Sequence, residues 1–235
     1  MRRVGFGLVV LMTVFASAGA CQRRPDVPTP TVTAKGSAGA EDVPDLTIPK
    51  VSLKAGETLF VSCNDESDDA EIFWGDASLH RDVASKGALV TTTIFTLYSA
   101  TGGTADIVAS HASSGDLTIN VYAVTNLAPS ALDKMAAAQG MGTSPSSGAT
   151  GVTSHANEFL WGTIGHFATG ASGTWMDGFT SGGQFKDSGG ISGVEDGYKT
   201  VSSTGAYSAA KTGIDKDSWT AVIATYTISA GRDPK

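Results

Sequence analysis

The stretch Ala156-Asn-Glu-Phe-Leu-Trp-Gly-Thr-Ile-Gly-His-Phe167 decides the fold that this sequence predicts. Its aromatic and β-branched residues favour a β-strand. A weaker copy, Ala-Gly-Glu-Thr-Leu-Phe-Val-Ser-Cys, lies at residues 55–63, an offset of 101 positions. The chain therefore contains two related stretches, and both predict strands.

The same offset, without a gap, aligns further residues of the two regions. Alanine matches arise easily by chance in this composition, so the tryptophan, glutamate and aspartate matches carry most of the weight. We predict one globular body of two related halves, in which each half contributes strands to both sheets of a single β-sandwich. The matched pairs are Glu57 and Glu158, Leu59 and Leu160, Trp74 and Trp175, Asp76 and Asp177, Asp116 and Asp217, and Val121 and Val222.

The composition favours an all-β protein. The 235 residues include 29 glycines, and charged residues make up only 17% of the chain. Glycine, serine and threonine are typical of the turns between short strands. The length suffices for one large domain or two small ones with a sizeable core.

The net charge argues against nucleic acid as a partner. The formal charge is −7 at pH 7, and no basic patch is visible in the sequence. A phosphate backbone would be repelled by such a surface.

The amino terminus predicts a targeting segment at residues 1–20. Arg2 and Arg3 form a charged start, residues 4–16 are apolar, and Ala18-Gly-Ala precedes Cys21. This segment resembles a bacterial lipoprotein signal, which implies cleavage and lipidation of Cys21. That family prefers Leu where Ala18 stands, and Ala18-Gly-Ala also suits ordinary signal peptidase, so plain secretion is the alternative.

The resemblance also implies a location. Gln22, which is not Asp, favours the outer membrane or cell surface over the inner membrane in that family. We predict a disordered tether at residues 21–46, because its prolines and small polar residues cannot bury enough apolar surface. The sandwich domain is predicted at residues 47–230, followed by a tail at 231–235.

Within the domain, alternation and β-propensity predict ten strands. A capping-box pattern at residues 130–133 predicts a short helix ending near Gly140. Residues 179–193 are predicted to form a long glycine-rich loop. The predicted strands are 58–63, 71–74, 90–98, 105–110, 117–124, 158–166, 173–176, 197–201, 205–210 and 218–228.

Five further stretches carry a second resemblance. They are similar to a jelly-roll-like β-sandwich module of secreted bacterial proteins and phage tail-associated proteins, over roughly residues 47–229. The resemblance implies a jelly-roll-like antiparallel β-sandwich with an extracellular, non-enzymatic role, often suspected to be adhesion or carbohydrate contact. It implies no catalytic position, and the acidic turn at 64–71 departs from the module. The stretches are Ala-Gly-Glu-Thr-Leu at 55–59, Leu-Ala-Pro-Ser-Ala-Leu-Asp at 127–133, Ala-Asn-Glu-Phe-Leu at 156–160, Ser-Thr-Gly-Ala-Tyr-Ser-Ala at 203–209 and Trp-Thr-Ala-Val-Ile-Ala-Thr at 219–225.

The acidic turn at residues 64–71 is a candidate calcium site. Ca²⁺ takes several oxygen ligands from flexible loops. The EF-hand spacing is absent and the second half lacks these acids, so a solvated loop is the alternative. The candidate ligands are Asp65, Asp68, Asp69 and Glu71. No other cofactor is predicted.

Aromatic residues near predicted loops form a candidate carbohydrate site. An aromatic face stacks on the apolar C–H face of a sugar ring, and an aspartate two residues beyond each tryptophan can accept hydroxyl hydrogen bonds. The alternative is that the two tryptophans fill equivalent core positions. The candidate residues are Trp74, Asp76, Trp175, Asp177, Phe179 and Tyr198.

The other reactive residue types form no recognisable motif. The four histidines lack the spacing of a zinc site, and we expect them to face solvent. No Gly-x-Ser-x-Gly elbow occurs, although a triad or a carboxylate pair from distant residues remains open. Cys63 alternates with Leu59 and Val61 and is predicted to point into the core, the alternative being a disulfide with Cys21.

The function predicted from these features is surface recognition or adhesion without catalysis, with a glycan or a surface protein as partner and the membrane reached through the lipid. The alternatives are a polysaccharide-active hydrolase and a purely structural surface component. An acidic pair across an aromatic groove would favour the hydrolase. Burial of both Trp74 and Trp175 without a pocket would favour the structural role.

Overall fold

The computed structural model describes residues 27–167, 172–187, 189 and 192–230. Within these ranges the chain forms strands, turns and irregular segments, and no helix. The pairings between the strands are antiparallel. The strands are β1 (Val32–Leu53), β2 (Thr58–Asp65), β3 (Glu71–Trp74), β4 (Ala77–Ser78), β5 (His80–Lys86), β6 (Thr91–Leu97), β7 (Gly103–Val124), β8 (Leu127–Gly142), β9 (Asn157–Phe167), β10 (Ser172–Trp175), β11 (Thr180–Lys186), β12 (Ser192–Ser202), β13 (Lys211–Ile214) and β14 (Asp217–Ile228).

The first half of the chain forms one sheet, in which β5, β6, β2, β7 and β1 lie side by side in that order. One edge of β7 pairs with β1 over nearly its whole length. On the opposite edge, β2 pairs with the second part of β7 and β3 with the first part. The short strand β4 extends the sheet beyond β3.

The second half repeats this order. Its sheet runs β11-β12-β9-β14-β8, so each strand takes the position of one strand of the first sheet. The two-stranded sheet of β10 and β13 corresponds to β3 and the first part of β7. The internal repeat is therefore confirmed in strand order, and the all-β antiparallel sandwich is the fold of this chain.

The 101-residue offset holds in some strands and slips in others. The Phe60 and Trp161 rings face each other across the sandwich with centroids 5.1 Å apart. Val121 packs within the first half, whereas Val222 packs between the sheets, so this pair does not match. Successive residues of a strand point to opposite faces. The last strands of the two halves therefore correspond with a shift of one residue.

Each sheet is built from one half of the chain. The prediction that each half supplies strands to both sheets is wrong, because the neighbours of β2 and of β9 all come from their own half. Strands that follow one another in sequence usually pair locally. The halves meet face to face instead, and the two sheets pack on each other through a shared core.

Aromatic side chains fill one end of this shared core. Phe60 contacts Tyr226 edge to face, with centroids 4.9 Å apart. Tyr122 makes a similar contact with Trp161 at 4.8 Å. Such pairs add specific geometry to a large buried area. The interface between the halves therefore holds the largest fully buried side chains, Trp161 and Tyr226.

Polar side chains fill the other end of the shared core. The Ser62 and Thr163 hydroxyls lie 2.9 Å apart at a separation of 101 residues. The buried carboxylate of Asp196 accepts hydrogen bonds from Asn120 Nδ2 at 2.8 Å and Thr163 Oγ1 at 2.8 Å. Buried polar groups are tolerated when they are hydrogen-bonded in this way. The two halves are thus joined by a polar network as well as by aromatic packing.

A second core lies within the first half. The β1–β7 ribbon bends over, and a Cβ on Gly36 would lie 3.1 Å from Ile48 Cγ2 of the same strand. Cys63 lies fully buried in this core with Leu59 and Val61. The prediction that Cys63 points inward as a small hydrophobe is therefore confirmed, and its thiol is free.

The amino-terminal boundary of the sandwich differs from the prediction. Residues 32–46, assigned to the disordered tether, form the first two thirds of β1. Ala38, Val43 and Leu46 pack against the core of the first half. The segment is mostly polar, but these three apolar side chains are partly buried once it pairs with β7. The signal segment, Cys21 and the tail at 231–235 lie outside the described residues.

Two other segments are strands where the sequence predicts something else. The helix predicted at 130–139 is part of β8, which pairs with β14. The loop predicted at 179–193 contains β11, which pairs with β12. In both cases an open strand edge of the second sheet overrides a local signal for a cap or a loop.

A third core covers the outer face of the second sheet. Segments 143–153 and 205–213 run alongside each other, as shown by hydrogen bonds from Thr150 N to Tyr207 O and from Lys211 N to Pro145 O. Ala209 lies so close that a Cβ on Gly162 would be 2.3 Å from its Cβ. The strand predicted at 205–210 is an extended segment with one isolated bridge, between Ser146 and Ala210. Beside this layer lies the cleft described next.

Candidate functional site

A small cleft opens beside the third core, on the second half of the molecule. Strands β10, β11, β12 and β13 supply most of its walls, and its volume is about 280 Å³. Its position is set by the pairing of β10 with β13 and of β11 with β12. The lining residues are Gly173, Thr174, Trp175, Phe179, Ser181, Gln184, Glu195 and Lys211.

One wall of the cleft is aromatic. The rings of Trp175 and Phe179 stack with centroids 5.8 Å apart and an interplanar angle of 22°. Trp175 lies against Gly197, where a Cβ would be 2.7 Å from the indole. Glycine is therefore the residue that lets the indole pack flat on β12. The indole Nε1 is buried and has no hydrogen-bond partner, so it is a donor without an acceptor.

The floor of the cleft carries a buried ion pair. Lys211 and Glu195 are each 2% exposed, and Lys211 Nζ bonds to Glu195 Oε2. His166 Nε2 lies 3.2 Å from the other oxygen, Oε1. The Lys211 ammonium also lies 5.4 Å from the centroid of the Trp175 ring, within the range of a cation–π contact.

Buried charges of this kind are costly to the fold. The desolvation of two ions offsets much of their attraction, so a buried pair by itself is weak evidence for stability. Charged groups retained in a cleft are candidates for function. The chemistry of this cleft is that of a polar ligand with one apolar face, since the aromatic wall lies next to donors and acceptors.

The sequence-predicted aromatic set is only partly brought together here. Trp175 and Phe179 line the cleft. Asp177 lies nearby in the β10–β11 turn with a φ of 52°, and its carbonyl oxygen accepts a hydrogen bond from Lys199 Nζ at 2.6 Å. Tyr198 lies on the opposite face of β12, stacked on Trp161 with centroids 6.0 Å apart.

The first-half members of that set lie elsewhere. Trp74 is buried in the core of the first half, and its Nε1 donates to Val51 O at 3.0 Å. Asp76 is exposed in the turn between β3 and β4. Trp74 pairs with Ile107 and Trp175 with Lys211. β10 is therefore shifted along its partner relative to β3. Because of this shift, Trp74 is buried in a core whereas Trp175 lines a cleft.

Three residues of the cleft were not found from the sequence. Glu195, Lys211 and Gln184 stand alone in the sequence, on three different strands. Only the pairing of those strands brings the three side chains together. The expectation that the histidines face solvent holds for His80 and His155 but is wrong for His111 and His166, which are buried.

In the acidic turn, the carboxylates of Asp65 and Asp68 already bond to other groups of the protein. Asp65 Oδ1 accepts hydrogen bonds from the backbone N–H groups of Ser67 and Asp68, each at 2.6 Å. The Asp68 carboxylate pairs with Arg81 and with Lys86. Although partial burial opposes it, these two cations hold the pKa of Asp68 below its usual value.

The predicted calcium ligands therefore do not all converge. Asp65, Asp69 and His111 each offer one ligand atom within 4.8 Å of the others. Asp68 points to its cations, and Glu71 lines a neighbouring depression with Asp69. His111 Nδ1 lies 2.8 Å from Ser67 Oγ, so the serine hydroxyl already links the members of this group.

Comparison of the chain with known protein families, with curated proteins and with solved structures found no match. Among the residues that the structure describes, no helix has the length and apolar character needed to cross a membrane. The arguments about function that follow therefore depend on the residues of this chain alone.

Proposed function

We propose that this chain is an extracytoplasmic surface lipoprotein with a non-catalytic recognition or adhesion role, and that the Trp175 cleft binds a carbohydrate. The observation that carries the proposal is the Trp175–Phe179 stack beside the buried Lys211–Glu195 pair. A pyranose ring offers an apolar face to an aromatic wall. Its hydroxyl groups need donors and acceptors, which the exposed side chains of Thr174, Ser181 and Gln184 supply.

The rim of the cleft supports the same ligand class. Thr174, Ser181 and Gln184 line it with hydroxyl and amide groups. Small-molecule sites typically combine an apolar wall with a few convergent polar groups. The size of the cleft, about 280 Å³, suits one sugar unit or the end of a chain rather than a long polymer segment.

The two alternatives receive less support. A glycoside hydrolase needs a pair of carboxyl groups flanking the scissile bond. Among the described residues, the lining of this cleft offers one carboxylate, Glu195, and it is engaged by Lys211. A purely structural role fits the burial of Trp74 but gives no reason for an ion pair and an unpaired indole N–H in a cleft.

The surface location rests on the sequence of residues 1–22. In the proposal, Cys21 carries the lipid and a short segment before β1 links it to the sandwich, with plain secretion as the alternative. Incorporation of a labelled fatty acid in a bacterial host tests it. Label in the wild-type chain and none in Cys21→Ser is the expected result; equal labelling of both would contradict lipidation at Cys21.

Glycan binding is tested with the chain from residue 22 onward on a glycan array, followed by titration of any glycan that binds. We expect Trp175→Ala to weaken binding by about tenfold or more, since one stacked aromatic contributes about 1 kcal/mol beyond its buried area. Gln184→Ala removes one rim group without disturbing the ion pair, and a smaller loss is expected.

Phe73→Ala is the matched control, because Phe73 is a partly exposed aromatic on β3, the counterpart of β10. It should bind like the wild-type chain. Thermal melts of each variant separate loss of binding from loss of folding. No binding to any glycan by the wild-type chain, or equal binding by the folded Trp175→Ala variant, would contradict a carbohydrate site in this cleft.

A further inference from the structure

A second group of side chains lies at the turn that opens the second half, away from the Trp175 cleft. Asp133 lies on β8, His155 on the turn before β9, and Glu158 on β9 itself. Each offers one ligand atom, and the three atoms lie within 4.8 Å of one another. The set combines one imidazole with two carboxylates.

The Glu158 side chain is fully buried, and its Oε2 atom has no hydrogen-bond partner. The other oxygen, Oε1, accepts a hydrogen bond from the His155 backbone N–H at 3.2 Å and lies 3.7 Å from His155 Nδ1. A buried carboxylate oxygen without a partner costs free energy. A second carboxylate, Asp133, adds repulsion at the same place. Both costs are removed by a cation held between the three groups.

The first half supplies an internal control for this turn. Glu57, the counterpart of Glu158, accepts a hydrogen bond from the Lys54 backbone N–H at 2.8 Å. Lys35 Nζ lies 4.0 Å from its Oε2 atom. The turn itself therefore needs only the glutamate and the backbone N–H three residues before it.

The two turns differ in the side chains that surround the glutamate. Lys54 corresponds to His155 at the 101-residue offset. Lys35 of β1 lies beside Glu57, whereas Asp133 of β8 lies beside Glu158. The second half thus has an imidazole and a carboxylate where the first half has two ammonium groups. Neither change is required by the shared turn geometry.

We propose that Asp133, His155 and Glu158 bind a divalent transition-metal ion, with Zn²⁺ as the ion that best suits the donor set. Zn²⁺ binds imidazole nitrogen and carboxylate oxygen, and three protein ligands leave a fourth position for water or a ligand. Ca²⁺ prefers six or more oxygen donors, so an imidazole is a poor ligand for it.

The neighbouring groups suit this role. Ser154 donates to both Asp133 oxygens, from its backbone N–H at 2.6 Å and from its hydroxyl at 2.6 Å. Such bonds orient a metal-binding carboxylate. Lys134 Nζ also bonds Asp133 Oδ1 at 2.7 Å, and its side chain is 32% exposed. The proposal requires this ammonium to turn outward into solvent when a metal ion occupies the site.

A cleft lies beside this group. His155 and Ser154 line a largely apolar depression of about 590 Å³, together with Ala156 and Thr227. In the proposal the metal ion joins β8 to the start of β9, beside that depression.

The test uses the untagged chain from residue 22 onward, treated with a chelator and titrated calorimetrically with zinc chloride. One equivalent of Zn²⁺ is expected to bind and to raise the melting temperature, because binding to the folded state alone stabilises it. Asp133→Asn and His155→Lys are expected to weaken binding by about tenfold or more. The second variant restores the residue that the first half has at this place.

His80→Lys is the matched control. His80 is exposed and lies 2.8 Å from a carboxylate oxygen of Asp82, but it belongs to neither three-residue metal group of the described chain. It should bind Zn²⁺ like the wild-type chain. Glu158 is left unchanged because it closes the turn, so its variants would test folding as well as metal binding.

Three results would overturn the proposal. The first is no stoichiometric Zn²⁺ binding by the wild-type chain. The second is wild-type affinity in both folded variants, Asp133→Asn and His155→Lys. The third is tighter binding of calcium chloride than of zinc chloride, which would contradict the imidazole ligand.

Discussion

At the scale of single residues, Gly165 lies where the two sheets leave no room for a side chain. A Cβ at this position would lie 1.9 Å from Thr92 Oγ1 and 2.3 Å from Asn64 Oδ1. Both atoms belong to the buried polar network and are bonded to each other at 2.9 Å. Their positions are therefore held, and they cannot move aside freely.

Gly165→Ala is expected to destabilise the protein by about 1–3 kcal/mol, the usual cost of overpacking a buried site. Chemical denaturation monitored by tryptophan fluorescence measures it. Gly151→Ala is the control, since a Cβ there meets only the Lys134 side chain, at 3.5 Å. Equal stability of the two variants would show that the halves are not in close contact at Gly165.

Asp196 is a single residue that makes the stability of the protein depend on pH. Its complete burial raises the pKa of the carboxyl group, and hydrogen bonds from Ser62, Asn120, Thr163 and Tyr122 only partly oppose this. The folded state therefore holds the proton more tightly than the unfolded chain. Stability from this group is present at low pH and is lost as the pH rises through the folded-state pKa.

Asp196→Asn removes this titration while keeping the shape of the side chain. We expect the variant to gain stability relative to the wild-type chain between about pH 4 and about pH 8. Urea denaturation at both pH values measures the difference. The other carboxyl groups titrate in both proteins and cancel in the comparison. A difference in stability that is the same at both pH values would refute the raised pKa.

At the scale of elements, β1 is the strand that the sequence conceals. Its first part was predicted to be a tether, yet it pairs with β7 from Val32 onward. We expect the backbone amides of 32–40 that pair with β7 to exchange with deuterium far more slowly than an unstructured chain. Exchange measured by mass spectrometry after proteolysis tests this, with β7 peptides as the internal reference. If residues 32–46 exchange at the rate of a disordered segment, the pairing with β7 is wrong and the segment is a tether.

The elements also show what the sequence can predict and why. Strands such as β2 and β9 are recognisable because buried aromatic and β-branched residues fill them. β8 and β11 are not, because edge strands bury little and their composition follows local turn and cap signals. In the cleft, the aromatic residues could be predicted from the sequence and the charged ones could not. Trp175 is conspicuous in a sequence, whereas Lys211 acquires its role only through its pairing with β10.

At the scale of the whole molecule, the shared core makes the two halves depend on each other. Each half also has a core of its own, in the first half around Val61 and in the second around Leu160. The aromatic residues Phe60, Trp161 and Tyr226 are buried only because the other half covers them. A separated half exposes this face, and a large exposed apolar face drives association.

We therefore expect neither residues 27–125 nor residues 126–230 to form a stable monomer when produced alone. Mixing the two should give a one-to-one complex with the near-UV circular dichroism of the intact chain, because the complementary faces then meet. Size-exclusion chromatography with light scattering measures the assembly. The intact chain cut at a protease site inserted between residues 125 and 126 is the control and should remain associated. If either half alone is a monomer that unfolds cooperatively, each half is a domain in its own right, and the shared core is a docking surface rather than part of one folding unit.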